Sequence, residues 1–96
     1  MKLQLVFKTA KSGGKKPRTY DVDLPVVIGR GQQASFRIPH GQISRRHCEL
    51  LESKGSVFIR DLGSTNGTMV NGNKVSTSEV KQGDKIQLGK VQIMVK

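Results

Sequence analysis

The sequence predicts an all-β domain, a sandwich or small barrel of short strands. Three observations carry this. Apolar and polar residues alternate over several short runs, the period of a half-buried strand. No stretch of eleven residues keeps an apolar stripe at helical spacing. Turn formers separate the runs, as Ser12-Gly13-Gly14, Asn66-Gly67, Asn71-Gly72 and Gln82-Gly83-Asp84.

In chain order, Leu3, Leu5 and Phe7 alternate with Lys2, Gln4, Val6 and Lys8. Lys11 to Lys16 reads as a basic, glycine-containing hairpin loop. Tyr20, Val22 and Leu24 alternate with Asp21 and Asp23, and Val26 to Gly29 is a short apolar run. Phe36 and Ile38 flank Arg37. His47 to Leu51 and Val57 to Arg60 are two more strands, with Ser53 to Ser56 turning between them. Lys85 to Leu88 and Val91 to Val95 close the chain through Gly89-Lys90. Asn-Gly pairs suit turn positions with positive φ, where neither residue is much strained. Phe7, Tyr20, Phe36 and Phe58 are expected in the core or at its edge, with Tyr20 and Phe58 on alternating patterns that imply burial. Neither a linker nor a repeat is visible, so residues 1–96 read as one domain.

Ninety-six residues suffice for one modest core. The longest apolar run, Leu24 to Ile28, contains Pro25 and falls far short of the ~20 residues of a membrane helix. The alternating start, Met1 to Lys8, is no signal peptide. A cytosolic protein without a membrane partner is expected. Cys48 is the sole cysteine, which excludes an intrachain disulfide and a CxxC metal site. It reads as a buried, inert thiol, and His47 beside it points to the other strand face. No cofactor and no metal are implied. Seventeen Lys and Arg stand against seven Asp and Glu, a net charge of +10. Such a surface steers anions toward it, which fits nucleic acid, an acidic membrane surface or phosphorylated peptides.

Three segments carry chemistry: Ile28-Gly29-Arg30-Gly31, Ile43-Ser44-Arg45-Arg46-His47, and Asp61-Leu62-Gly63-Ser64-Thr65-Asn66-Gly67-Thr68. Arg30 and Arg45 offer donor forks matched to phosphate or carboxylate. Ser44, Ser64 and Thr65 offer hydroxyl donors. Asn66 has both a donor and an acceptor, enough to clamp an extended peptide backbone. Two strands separate the Ser44 and Asn66 loops, which places both at one end of the domain. The same counting puts Arg30 at the other end.

The ordered set Gly29-Arg30, Ser44-x-x-His47 and Asn66-Gly67, with Asn71-Gly72 beyond, resembles the signature of the forkhead-associated (FHA) domain over roughly Leu3 to Val95. The resemblance implies an eleven-stranded β-sandwich with a phosphopeptide site in the loops at one end, and it brings Arg30 to that end. It implies that Arg30 and Ser44 contact the phosphate, with Arg45 close to the phosphate or the peptide backbone. Thr65 is implied to donate to the phosphate, and Asn66 to bond the peptide main chain. Gly29, His47 and Gly67 are implied to be structural, with His47 buttressing the loops from beneath. The partner implied is a phosphothreonine-containing protein or peptide in signalling, bound by a domain that is monomeric in isolation and catalyses nothing. The chain departs from the family in its basic entry to the serine, Arg37 to Gln42. Gln42 and a loop over Gly72 to Glu79 fall where the family reads residues after the phosphothreonine, and their neutral polar character selects nothing sharply.

Other readings are weaker. Ser44 and His47 do not make a nucleophile and base, since no elbow or orienting carboxylate accompanies them. Asp61 and Asp84 read as turn residues, Asn71 as a hairpin turn, His40 as an exposed loop histidine, and Arg46 and Arg60 as solvated strand positions. Nucleic-acid binding has the charge on its side, with Lys2 to Arg18 as its face. Yet only 4% of the chain is aromatic, too little for a stacking platform, and no helix is available for a groove. A phosphate-independent assembly module is the third possibility.

Overall fold

A computed structural model describes residues 1–9 and 18–96, so the basic loop at 11–16 lies outside the described residues. Eleven strands form two sheets: β1 (Lys2–Thr9), β2 (Arg18–Asp23), β3 (Val26–Gly29), β4 (Phe36–Arg37), β5 (Cys48–Ser53), β6 (Ser56–Asp61), β7 (Thr68–Val70), β8 (Asn73–Val75), β9 (Thr77–Val80), β10 (Lys85–Leu88) and β11 (Val91–Val95). One sheet runs β2-β1-β11-β10-β7-β8, the other β4-β3-β5-β6-β9. The predicted alternation sets which side chains meet between them. Leu5, Ile28, Leu50, Ile59, Ile86, Leu88 and Ile93 are fully buried, a single core shared by both sheets.

The topology explains why simple counting misplaces Arg30. Phe36–Arg37 is only two residues long and pairs parallel to β3, Ile28 opposite Phe36. It does not carry the chain across the sandwich. The chain leaves β4 at the end where it left β3, and β5 starts there too, with Cys48 opposite Ile28. β6 returns to that end, Asp61 opposite Cys48. Three connections, 30–35, 38–47 and 62–67, therefore share one end of the sandwich.

Several expectations need correction. Residues 72–79, expected as a loop, contain β8 and most of β9. Both are edge strands, and an edge strand bathed in water needs no alternating apolar face. His47 and Arg46 precede β5 rather than lying on it. Tyr20 is 37% exposed. It joins Phe7 and Phe36 in an aromatic cluster with centroids 5.0 to 5.4 Å apart, where the edge strands β2 and β4 carry two of the three rings. Phe58 is only half-buried, because the alternation of β6 sends Val57 and Ile59 inward instead. The turns behave as read: Lys54 and Gly55 have φ of 51° and 81°, and Asn71 and Gly72 of 51° and 85°.

Candidate phosphopeptide site

Gly29 draws the first two loops together. A Cβ there would stand 2.1 Å from the Arg45 carbonyl oxygen, so only glycine allows the approach. The next two residues bond across the gap. The Arg30 N–H donates to the Ser44 carbonyl at 2.9 Å and the Gly31 N–H to the Arg45 carbonyl at 3.0 Å. The Arg30 Nε also donates to the Ile43 carbonyl at 3.0 Å. That bond fixes the guanidinium while its two terminal nitrogens donate to nothing among the described residues. Arg30 is thus beside Ser44, against the strand count and in keeping with the resemblance.

His47 ties the serine loop to the loop after β6. It is fully buried. Its Nδ1 accepts the Ser44 backbone N–H at 3.1 Å, so the ring proton sits on Nε2 and is donated to the Gly67 carbonyl at 2.8 Å. The ring meets the Ser44 amide rather than its hydroxyl, so the pair is not arranged as nucleophile and base. The Ser44 Oγ accepts the Thr65 N–H at 2.9 Å. Its own proton has no acceptor among the described residues. The Asn66 Nδ2 donates to the Gln42 carbonyl at 2.7 Å, which aligns that amide between the two loops.

Asp61 shapes the third loop. Its Oδ2 accepts the Gly63 and Ser64 N–H groups at 3.0 and 3.1 Å, and its Oδ1 the Ser64 and Thr68 hydroxyls at 2.5 and 2.7 Å. Burial alone would raise the Asp61 carboxyl; the bonds from the Ser64 and Thr68 hydroxyls and the Ser64 and Gly63 amides outweigh it and hold it below the usual carboxylate range. Reading Asp61 as a turn residue missed this wider role. The sequence signal was available, as an acid followed by Gly, Ser and Thr at turn spacing. His40 is half-buried rather than exposed, and its Nδ1 accepts the Gln42 N–H at 3.1 Å. Cys48 is fully buried, and desolvation, with the Asp61 charge adding, pushes its thiol up to about 12.

Ser44, Thr65, Asn66, Arg30 and Arg45 therefore occupy one end of the sandwich. Arg30, Arg45 and Arg46 are exposed there. The one ion pair among the described residues is elsewhere, Arg60 with Glu49 at 2.7 Å on the strand face predicted for Arg60. A cluster of cationic and hydroxyl donors in which no arginine is paired with a carboxylate suits a dianionic, multiply accepting group. Among the described residues no group of three His, Cys, Asp or Glu could hold a metal ion. No helix among them is long and apolar enough to cross a membrane. Two positions were passed over in the sequence. Lys74 on β8 lays its side chain over Gly67, and the β10–β11 turn packs Gly89 against Gln42.

The FHA domain family model matches residues 26–89. The chain is 44% identical over 80 residues to the FHA domain-containing protein FhaA of Mycobacterium tuberculosis, covering 82% of this chain and 15% of that protein. It is 31% identical over 91 residues to the glycogen accumulation regulator GarA of Mycolicibacterium smegmatis, covering 94% and 56%. The crystal structure of the FhaA FHA domain complexed with the intracellular domain of Rv3910 superposes with a TM-score of 0.82 at 38% identity, over 98% of this chain and 99% of that one. A structure from an analysis of phosphothreonine-dependent FHA domain interactions superposes with a TM-score of 0.79 at 37% identity, over 97% and 95%. The chain thus spans a small part of FhaA and about half of GarA.

Proposed function

We propose that this chain, which belongs to the FHA domain family, is a signalling module that binds phosphothreonine peptides at the loop end of its sandwich. The observation that carries the reading is the convergence of Arg30, Ser44 and Thr65, held by hydrogen bonds that leave their outward donors unused. In this reading the terminal nitrogens of Arg30 and the hydroxyls of Ser44 and Thr65 donate to the phosphate. Arg45 adds a second cation beside it, and Asn66 bonds the peptide main chain. Gly29, His47 and Gly67 hold the loops at the spacing the phosphate requires. A phosphate carries about −1.5 to −2 charges at pH 7, and hydrogen bonds to it are roughly twice as strong as neutral ones. The charge of +10 speeds its capture. Residues 1–96 act as one interaction domain in the cytosol, recruiting a phosphorylated protein rather than transforming it.

The test is a binding screen against one degenerate peptide library in phosphothreonine, phosphoserine and unphosphorylated forms. The phosphothreonine form is expected to bind tightest and the unphosphorylated form not measurably. Equal binding of all three sinks the reading.

A further inference from the structure

We infer that His40 is a positioning residue of this site: by capping the turn at 40–43 it sets the two carbonyls that orient Asn66 and Arg30. The inference rests on the phosphothreonine reading and adds to it a residue that touches no ligand. The turn closes where the Ile43 N–H donates to the His40 carbonyl at 3.0 Å. Inside it the His40 Nδ1 accepts the Gln42 N–H at 3.1 Å, so the ring proton sits on Nε2. Asn and Asp side chains make the same bond, to the N–H two residues on, in an Asx-turn. The two carbonyls that follow are both used by the site. The Gln42 carbonyl accepts the Asn66 Nδ2 at 2.7 Å, and the Ile43 carbonyl accepts the Arg30 Nε at 3.0 Å. One capped turn thus serves two ligand-reading side chains from different loops.

The cap matters because of what surrounds it. The buried Ile38, whose N–H donates to the Gly29 carbonyl at 2.9 Å, and the buried Ile43 anchor the segment at its two ends. Between them lies Gly41, where a Cβ would meet nothing within 4 Å, and glycine has the widest choice of backbone conformations. The His40 ring fixes that choice. Gly89 then backs the result, since a Cβ there would stand 2.7 Å from the Gln42 Cβ. Asn66 is exposed, and the Gln42 carbonyl is the partner of its side chain among the described residues. With one amide hydrogen spent there, its carbonyl oxygen and second amide hydrogen are left for a peptide main chain. Arg30 is exposed as well and is oriented at Nε by the next carbonyl. Side chains already ordered before the ligand arrives spare binding the cost of ordering them.

The test separates the acceptor from the bulk of the ring. His40→Asn keeps an acceptor where Nδ1 stands and loses the ring; His40→Leu keeps the bulk and loses the acceptor. Both are compared with wild type and Asn66→Ala by calorimetric titration. The ligands are a phosphothreonine peptide and a panel in which one flanking backbone amide at a time is replaced by an ester, which removes an N–H donor and weakens the carbonyl. In wild type the ester at one position is expected to cost about 5- to 10-fold, the scale of one hydrogen bond, and Asn66→Ala should be indifferent to it. His40→Leu should weaken the parent peptide by about 3- to 10-fold and shrink the ester penalty to about 2-fold or less, with the Arg30 Nε–H resonance shifted in the ligand-free protein. His40→Asn should lie within about 2-fold of wild type on every peptide. A full ester penalty in His40→Leu overturns the assignment, and so does His40→Asn falling as far as His40→Leu, which would leave the ring a packing role only. If no ester distinguishes wild type from Asn66→Ala, the main-chain role of Asn66 falls and the inference with it. If the parent peptide does not bind wild type at all, the phosphothreonine reading fails first.

Discussion

Replacing Asp61 separates the loop's scaffold from its chemistry, because Asp61 touches no ligand group in this account. Alanine deletes the acceptor for two backbone N–H groups and two hydroxyls. The Thr68 hydroxyl is the costliest loss, since Thr68 is fully buried and is left without a partner. A hydrogen bond to a charged group is worth about 1.5–3 kcal/mol, and such terms do not add when they share one atom pair. With the Gly63 bond at the surface, a total of roughly 3 kcal/mol is reasonable. For a domain of this size that lowers Tm by roughly 10–20 °C. Asn should cost far less, about 1 kcal/mol. Its oxygen can face the two amides while its NH2 donates to the Ser64 and Thr68 hydroxyls, which can rotate to accept. The pH dependence separates them further. The Asp61 carboxyl is depressed in the folded protein, so its contribution is complete above the unfolded carboxylate pKa and is lost as pH falls through the lower folded value. Thermal unfolding of wild type, Asp61→Ala and Asp61→Asn between neutral and acid pH measures all of this. If alanine changes Tm by only a degree or two, or if asparagine costs as much as alanine, the network does not organise the loop as described.

Three further outcomes follow from the same geometry. Gly29→Ala should force β3 away from Arg45, costing about 1–3 kcal/mol of overpacking, and it should abolish phosphopeptide binding; unchanged binding by titration would contradict the close approach. Arg30→Ala should weaken phosphopeptide binding by about 10- to 100-fold with little change in Tm, as read by calorimetry and thermal unfolding. Cys48, with its thiol pushed up to about 12 by burial, should resist a thiol reagent at pH 8 until the protein unfolds, and rapid native labelling would contradict its environment.

The strands that bury one face were legible in the sequence, because alternation and burial are one signal: the buried Leu5, Ile28, Leu50, Ile59, Ile86 and Ile93 all lie in runs read as strands or as a short apolar run. β7, β8 and β9 were not. β8 and β9 are edge strands with largely exposed residues, so little apolar periodicity announces them. Tyr20 shows the same limit, since β2 is the edge of its sheet and its pattern implies a burial that no neighbour completes. The Ser44 and Asn66 loops could be placed together by counting strands. Arg30 could not, because the count treats the two-residue parallel β4 as a full crossing. Resemblance supplied that position and the structure supplied its reason. Lys74 was hidden in a stretch read as neutral loop, since its approach to Gly67 depends on the register of β7 and β8.

The central claim is that Arg30, Ser44, Arg45, Thr65 and Asn66 form one phosphothreonine site. The most direct measurement is an amide and arginine Nε NMR titration of the domain with a phosphothreonine peptide and its unphosphorylated twin. The account predicts that the phosphorylated peptide shifts the Ser44, Arg45, Thr65 and Asn66 amides and the Arg30 Nε–H, while the outer sheet faces and the β5–β6 turn stay still and the twin moves nothing. Shifts centred on a sheet face, or the same shifts from both peptides, would contradict it.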